Sequence, residues 1–279
     1  MRIINGERIS EVVGRLCVRA NRELPEEARE KLRSLRGAET WPLARDTLDK
    51  IISNFELAGE QGVPLCQDTG AACVFLEIGA DLHIEGDLYA AVNEGVRRGY
   101  AEGFLRNSMV ADPLNRVNTG DNTPAMTYID VVPGSRLTIT VAPKGFGSEN
   151  MSQIKMLRPS DGEEGVVDFV VSVVKEAGSN PCPPVVVGVG IGGVFDKAAL
   201  LAKKALLRPL NRENPAPYYR DLERRLLKRI NALGTGPQGF GGAATALAVA
   251  IEVMPTHIAG LPCAVNLNCH AARHAREEI

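Results

Sequence analysis

The chain has 279 residues, 44% of them hydrophobic and 24% charged, with 32 basic and 34 acidic side chains and a net charge of −2. This is an ordinary globular composition, long enough to bury a core without a disulfide framework. The balanced charge excludes the basic footprint of a nucleic-acid-binding or membrane-surface protein.

The opening stretch through Leu24 scatters charges among its apolar positions and has no signal-like apolar run, and nowhere do about 18 apolar residues follow one another. The expectation is a cytoplasmic protein with no membrane span. In that compartment the six cysteines (Cys17, Cys66, Cys73, Cys182, Cys263 and Cys269) are thiols or ligands rather than disulfides.

Residues 8–58 read as helices. Val12, Val13, Leu16 and Cys17 repeat at helical spacing, Pro25-Glu26-Glu27 marks a helix start, and Leu48, Ile51, Ile52 and Phe55 share one face. Ala71–Ile78 reads as a buried strand, and a helix follows over 86–102. The stretch Arg106–Pro124 is too polar for a core and too long for an idle connection, so it is a functional-loop candidate. Met126–Val132 and Leu137–Val141 alternate like strands, and Pro133-Gly134 between them predicts a hairpin. A helix over 161–177 precedes Val185–Val189, the strongest buried-strand signal in the chain. Gly190-Ile191-Gly192-Gly193 reads as a turn, followed by helices over about 197–207 and 218–233. Residues 243–253 suit a helix or a strand, and the tail 255–279 suits loops and a short final helix. The fold class is α/β: a helical N-terminal layer over about 1–60, then a mixed α/β body over about 61–279, in a single domain.

Cys17, Cys73 and Cys263 sit in apolar runs and read as small buried hydrophobes. Cys66, Cys182 and Cys269 lie in turn-like settings, the first two beside proline or glycine. The residues alone leave these three open between packing and metal binding, because no CxxC pair supplies a zinc or ferredoxin signature.

Six motifs then occur in order: Pro64–Gly70 (PLCQDTG), Asn118–Pro124 (NTGDNTP), Lys144–Asn150 (KGFGSEN), Asn180–Pro184 (NPCPP), Gly188–Gly193 (GVGIGG) and Asn268–His274 (NCHAARH). Together they resemble the class I, iron–sulfur fumarases, in particular the α subunit of the two-subunit enzymes, a layout shared with L(+)-tartrate dehydratase α subunits. The resemblance implies a hydro-lyase of the tricarboxylic acid cycle type, hydrating fumarate to (S)-malate. It also implies loops converging on a [4Fe-4S] cluster held by Cys66, Cys182 and Cys269, with one iron open to substrate. Residue by residue it implies Asp68 and His257 as catalytic groups. Gln67, Arg106, Gly145 and Gly147 would be substrate contacts, the glycine loop offering N–H groups to a carboxylate. Phe146 departs from the small residue usual between these glycines. Taken singly, Asp68 suits a turn cap, Arg106 a surface arginine and His257 a structural histidine. The partners implied are a small dicarboxylate and a β subunit carrying the remaining groups, in a higher hetero-oligomer. The Gly190–Gly193 turn is expected beneath the cluster. Tartrate dehydration is the close alternative, favoured less because Asn107–Leu114 resembles the fumarase branch. A non-catalytic zinc protein using His270 and His274, or a nucleotide binder using the glycine loops, are alternatives of other classes.

Overall fold

The structure, a computed structural model, describes residues 2–279. In chain order its elements are β1 (Arg2–Asn5), α1 (Gly6–Arg22), α2 (Glu26–Ala38), α3 (Pro42–Gln61), β2 (Ala71–Gly79), β3 (Leu82–Glu85), α4 (Leu88–Glu102), β4 (Met126–Val132) and β5 (Leu137–Lys144). There follow α5 (Phe146–Glu149), β6 (Gln153–Leu157), α6 (Gly162–Ala177), β7 (Val185–Gly193), α7 (Phe195–Ala205), α8 (Pro217–Asn231), β8 (Ala246–Thr256), β9 (Leu261–Asn268) and β10 (Ala275–Glu278). This is a mixed α/β fold. Among the described residues no helix is long and apolar enough to cross a membrane. The chain divides into two compact units: one takes residues up to Pro25, Phe55–Phe146 and Arg273–Ile279, the other Glu26–Asn54 and Gly147–Ala272.

The first unit is built on a four-stranded sheet in the order β10-β5-β2-β4. Helix α1 starts under an Asn5 cap, whose side chain accepts from the Arg8 amide, and α4 starts under Asp87 in the same way. The two helices close a core in which Ile9, Val12, Val13 and Leu16 meet Val92, Val96 and Tyr100 and the inward side chains Val74, Leu76, Ile139 and Val141. The predicted hairpin does not form. Strand β2 lies between β4 and β5, parallel to the first and antiparallel to the second. The reason is burial: β2 is buried along its first six residues and needs a partner on each side, whereas β4 is largely exposed and takes the edge.

The second unit is built on a sheet in the order β6-β9-β7-β8. Val185, Val187 and Val189 of β7 and Cys263, Val265 and Leu267 of β9 face α6 and α8, forming the larger core. The ambiguous segment from 243 is strand β8. The tail departs from expectation: where loops and a short helix were expected, it forms β9 and β10. The apolar run of β9 is too short for a self-standing helix, and pairing antiparallel with β7 satisfies its backbone. Strand β10 pairs with β5 at the rim of the first unit's sheet, where Arg276 meets Glu77 at 2.9 Å and Glu277 meets Arg15 at 2.6 Å.

The Gly188–Gly193 motif is strand rather than turn. A Cβ on Gly188 would lie 2.2 Å from the Ala202 carbonyl oxygen, and one on Gly190 would lie 2.1 Å from that of Ala198. Only glycine lets the backbone of α7 come this close to β7. Substituting Gly190→Ala should therefore lower the unfolding free energy by ~1–3 kcal/mol through overpacking against main chain that cannot swing aside. Chemical denaturation checks this.

Candidate functional site

In the first unit the turn that carries Cys66, Gln67 and Asp68 is tied down on all sides. The Leu65 amide donates to the Asn21 carbonyl at 2.8 Å. The buried Tyr100 hydroxyl donates to the Thr69 carbonyl at 2.8 Å and lies 3.0 Å from that of Gly70. Burial pushes the Tyr100 phenol well above its ordinary pKa, so it stays a neutral donor. Asn122 is fully buried at a φ of 59°, in the left-handed region that asparagine tolerates. Its Nδ2 donates to the Gly70 carbonyl at 3.1 Å and its Oδ1 accepts from the Ser108 amide at 2.7 Å. Nη2 of Arg273 donates to the Asp68 carbonyl.

This scaffold presents the predicted side chains in a fixed order. Cys66 Sγ accepts from the Asp68 amide at 3.4 Å and lies 3.2 Å from Gln67 Oε1. Asp68 Oδ1 accepts from the Gly70 amide at 3.0 Å, and Oδ2 from the Phe146 amide at 2.9 Å. A Cβ on Gly145 would stand 3.1 Å from Asp68 Oδ2, so any side chain there would press on the carboxylate. The glycine loop thus spends one of its N–H groups on Asp68 rather than offering them all to a ligand. The backbone of Arg106 brackets Thr69: its amide donates to Thr69 Oγ1 at 2.9 Å, and that hydroxyl lies 3.1 Å from its carbonyl oxygen. The Arg106 side chain is exposed. Cys66, Gln67, Asp68, Arg106 and Gly145 are therefore brought together.

The second unit holds Cys182, Cys269, Gly147 and His257. Cys182 is exposed and has a φ of 55°, an uncommon conformation for a residue with a Cβ. Its amide donates to the Ser179 carbonyl at 3.0 Å. Its carbonyl accepts from the amide of His270, the residue after Cys269, at 3.3 Å and lies 3.0 Å from His270 Nδ1. Gln238 closes the turn from above, its amide and Nε2 reaching the Pro183 carbonyl at 2.8 and 3.0 Å. Cys182 and Cys269 are neighbours at one end of the sheet, where Val186 pairs with Asn268. His257 follows Thr256, which pairs with Gly193 at the opposite end. The seven-residue rise between those pairs is roughly 23 Å. The Gly190–Gly193 segment lies at that far end too, so it is not a turn beneath Cys182 and Cys269.

The six thiols sort by environment. Cys17, Cys73 and Cys263 are buried; Cys66 and Cys269 are half-buried and Cys182 is exposed. Burial pushes the thiols of Cys17 and Cys263 up to about 12. Among the described residues no three His, Cys, Asp or Glu side chains are grouped as around a single ion. A cube-shaped cluster asks for something else, since each thiolate meets a different iron. Three accessible thiols on turns held by main-chain hydrogen bonds match that donor chemistry. Arg273 is 4% exposed, and its Nε and Nη1 are buried without an acceptor among the described residues. Arg273, Tyr100 and Asn122 were not singled out from the sequence. Asn122 and Arg273 stand inside two of the quoted motifs, whereas Tyr100 sits on a helix face with nothing to mark it.

Comparison with known proteins adds two findings. Residues 10–278 match the family described as "Fumarate hydratase (Fumerase)". A Methanocaldococcus jannaschii protein provisionally named L(+)-tartrate dehydratase subunit alpha is 42% identical over 279 residues, covering 98% of each chain. The L(+)-tartrate dehydratase subunits alpha of Escherichia coli K12 and of Shigella sonnei are each 34% identical over 271 residues, covering 95% of this chain and 89% of theirs.

Alkylation with iodoacetamide at pH 8, read by mass spectrometry, should label Cys66, Cys182 and Cys269 in the folded metal-free protein. Cys17 and Cys263, with about one thiol in ten thousand ionised at that pH, and buried Cys73 should stay unlabelled until the protein unfolds.

Proposed function

The chain belongs to the fumarate hydratase (Fumerase) family of hydro-lyases, and from that membership we propose that it is the α subunit of an L(+)-tartrate dehydratase. The observation that carries the substrate is the name shared by the similar proteins, above all the one matching 98% of the chain. The sequence-based preference for fumarate gives way to it. Hydration of fumarate stays as a second reading, favoured by the family's own description.

Dehydrating L(+)-tartrate breaks a C–H bond on one central carbon and a C–O bond on the next. The proton and hydroxide leave as water, and the resulting enol tautomerises to oxaloacetate. Hydroxide is a poor leaving group and the proton beside a carboxylate is weakly acidic. We assign Cys66, Cys182 and Cys269 to a [4Fe-4S] cluster. When bound, it would supply a Lewis acid through the iron that no cysteine holds.

The chain's own residues do the rest of its share. Arg106 is an exposed planar guanidinium suited to a bidentate grip on a substrate carboxylate. Asp68 is held at a defined place by the Gly70 and Phe146 amides, each of which uses only one lone pair of its oxygen. A lone pair therefore remains to take or return the proton of the departing hydroxyl. Gln67, beside the Cys66 thiol, orients that hydroxyl. With the Phe146 N–H committed to Asp68, support for a second carboxylate would come from Gly145 and Gly147. His257, the other catalytic group that the resemblance implies, lies remote from Cys182 and Cys269 along the sheet, and its role is assigned to an active site that the assembled enzyme completes. A β subunit is the proposed partner that contributes the remaining groups, within a cytoplasmic hetero-oligomer.

Protein co-expressed with its β subunit and handled anaerobically should be brown, with about four irons and four sulfides per α chain. It should turn over L(+)-tartrate faster than malate or fumarate. Cys66→Ser, Cys182→Ser and Cys269→Ser should each abolish cluster retention, and Cys17→Ser should not. Turnover of fumarate but not tartrate would establish the second reading, and a colourless protein with one zinc would sink both. Asp68→Asn should keep its iron and lose roughly 10²–10⁴ in kcat.

A further inference from the structure

The turn that carries Cys66 explains its thiol and its carboxylate but not the arginine that braces it. Arg273 is buried, and among the described residues its only hydrogen bond runs from Nη2 to the Asp68 carbonyl. Nε and Nη1 have no acceptor, and among the described residues no carboxylate pairs with it. It also faces the neutral phenol of Tyr100, whose ionisation the arginine's charge would favour but burial prevents. A guanidinium cannot shed its proton, and a buried charge with no partner is strongly disfavoured. The Arg36–Asp49 and Arg15–Glu277 pairs show what this chain does with arginines at its surface, where each meets a carboxylate. Among the described residues Arg273 is thus a buried cation with no carboxylate within ion-pair distance.

The anion's place is marked by hydrogen bonds. Asp68 accepts from Arg273 through its carbonyl and donates through its amide to Cys66 Sγ at 3.4 Å. The two bonds fall on the successive peptide groups that flank the Asp68 Cα, so arginine and sulfur are both tied to the main chain of one residue. A four-iron core on three thiolates is a net anion, and it becomes more negative on reduction. We propose that Arg273 is a positioning residue for the cluster: its charge is the internal counter-ion of the iron–sulfur anion, and its bond to the Asp68 carbonyl holds the Cys66–Asp68 turn in ligating form. This rests on the reading that Cys66 is a cluster ligand. A fixed positive charge beside a cluster raises its reduction potential and favours its retention, because charge, hydrogen bonding and exposure set both.

The test uses the full chain reconstituted anaerobically with ferrous iron and sulfide, as wild type, Arg273→Met and Arg273→Lys. Iron and sulfide content, the midpoint potential from a dye-mediated redox titration and iron loss in air are measured on each. Thermal melting is measured with and without the cluster. The expected result is a more negative potential and faster iron loss for Arg273→Met, with partial return in Arg273→Lys, which restores charge but not the planar fork. Without the cluster, Arg273→Met removes the donor to the Asp68 carbonyl but also a charge that nothing in the metal-free protein balances, so its melting point should fall less than that of the cluster-loaded protein. An Arg273→Met protein with the wild-type potential and iron retention overturns the proposal. So does a metal-free Arg273→Met protein that melts well below wild type while Arg273→Lys recovers none of the potential, since the arginine would then be a structural prop. Wild type that takes up no iron and sulfide would overturn the cluster assignment itself, an outcome distinct from these.

Discussion

The anchoring of three successive carbonyls, those of Asp68, Thr69 and Gly70, governs the chemistry of this chain. Each is held by a side chain from a distant part of the sequence: Arg273, Tyr100 and Asn122. A buried carbonyl without a donor is expensive, so the turn cannot relax away from these partners without losing all of them together. With the carbonyls fixed on the inner side, the Asp68 amide is left to face the Cys66 sulfur, and the sulfur gains a dipole suited to a thiolate. Asp68 itself is fixed by the same turn, through the Gly70 amide. Thiol and carboxylate therefore owe their places to one set of bonds, and a perturbation of either is a perturbation of both.

The second unit reaches the same end by other means. Cys182 sits in the left-handed region, and the bond from the His270 amide and the Gln238 contacts to Pro183 keep it there. An unfavourable φ at an exposed residue persists only when its surroundings over-determine it. Below it, β7 is lined with glycine on the face that meets α7 and with valine on the face that meets α6 and α8. One strand thus carries two packing distances, close on the glycine side and ordinary on the valine side.

Much of this was legible in the sequence because it depends on local pattern. The helices between Gly6 and Gln61, the buried strand at Ala71 and the valine run at Val185 follow directly from apolar periodicity. The thiols divided correctly as well: an apolar flank buries Cys17, Cys73 and Cys263, and a turn exposes Cys182. What failed depends on long-range pairing. Pro133-Gly134 is a sound turn signal, but whether it joins neighbouring strands depends on where β2 inserts, and no window of sequence contains that choice. Strands β9 and β10 were hidden because a short apolar run and a four-residue segment with three charges acquire strand character only from β7 and β5. Arg273 and Tyr100 escaped notice for the same reason: their importance is a carbonyl some thirty to two hundred residues away, and nothing beside them in the chain announces it.

Strand β9 runs from the turn bearing His257 to the last residue before Cys269, so a single ladder joins the ends of the sheet that carry these two residues. Because side chains alternate along a strand, its length has a parity. Losing or gaining one residue within Leu261–Asn268 would turn Cys263, Val265 and Leu267 out of the core and invert the direction in which Cys269 leaves the sheet. A change of two would restore the facing and only shift the ends along the axis. Changes of length within Leu261–Asn268 are therefore constrained to even steps, whereas the turn at 257–260 lies outside that ladder.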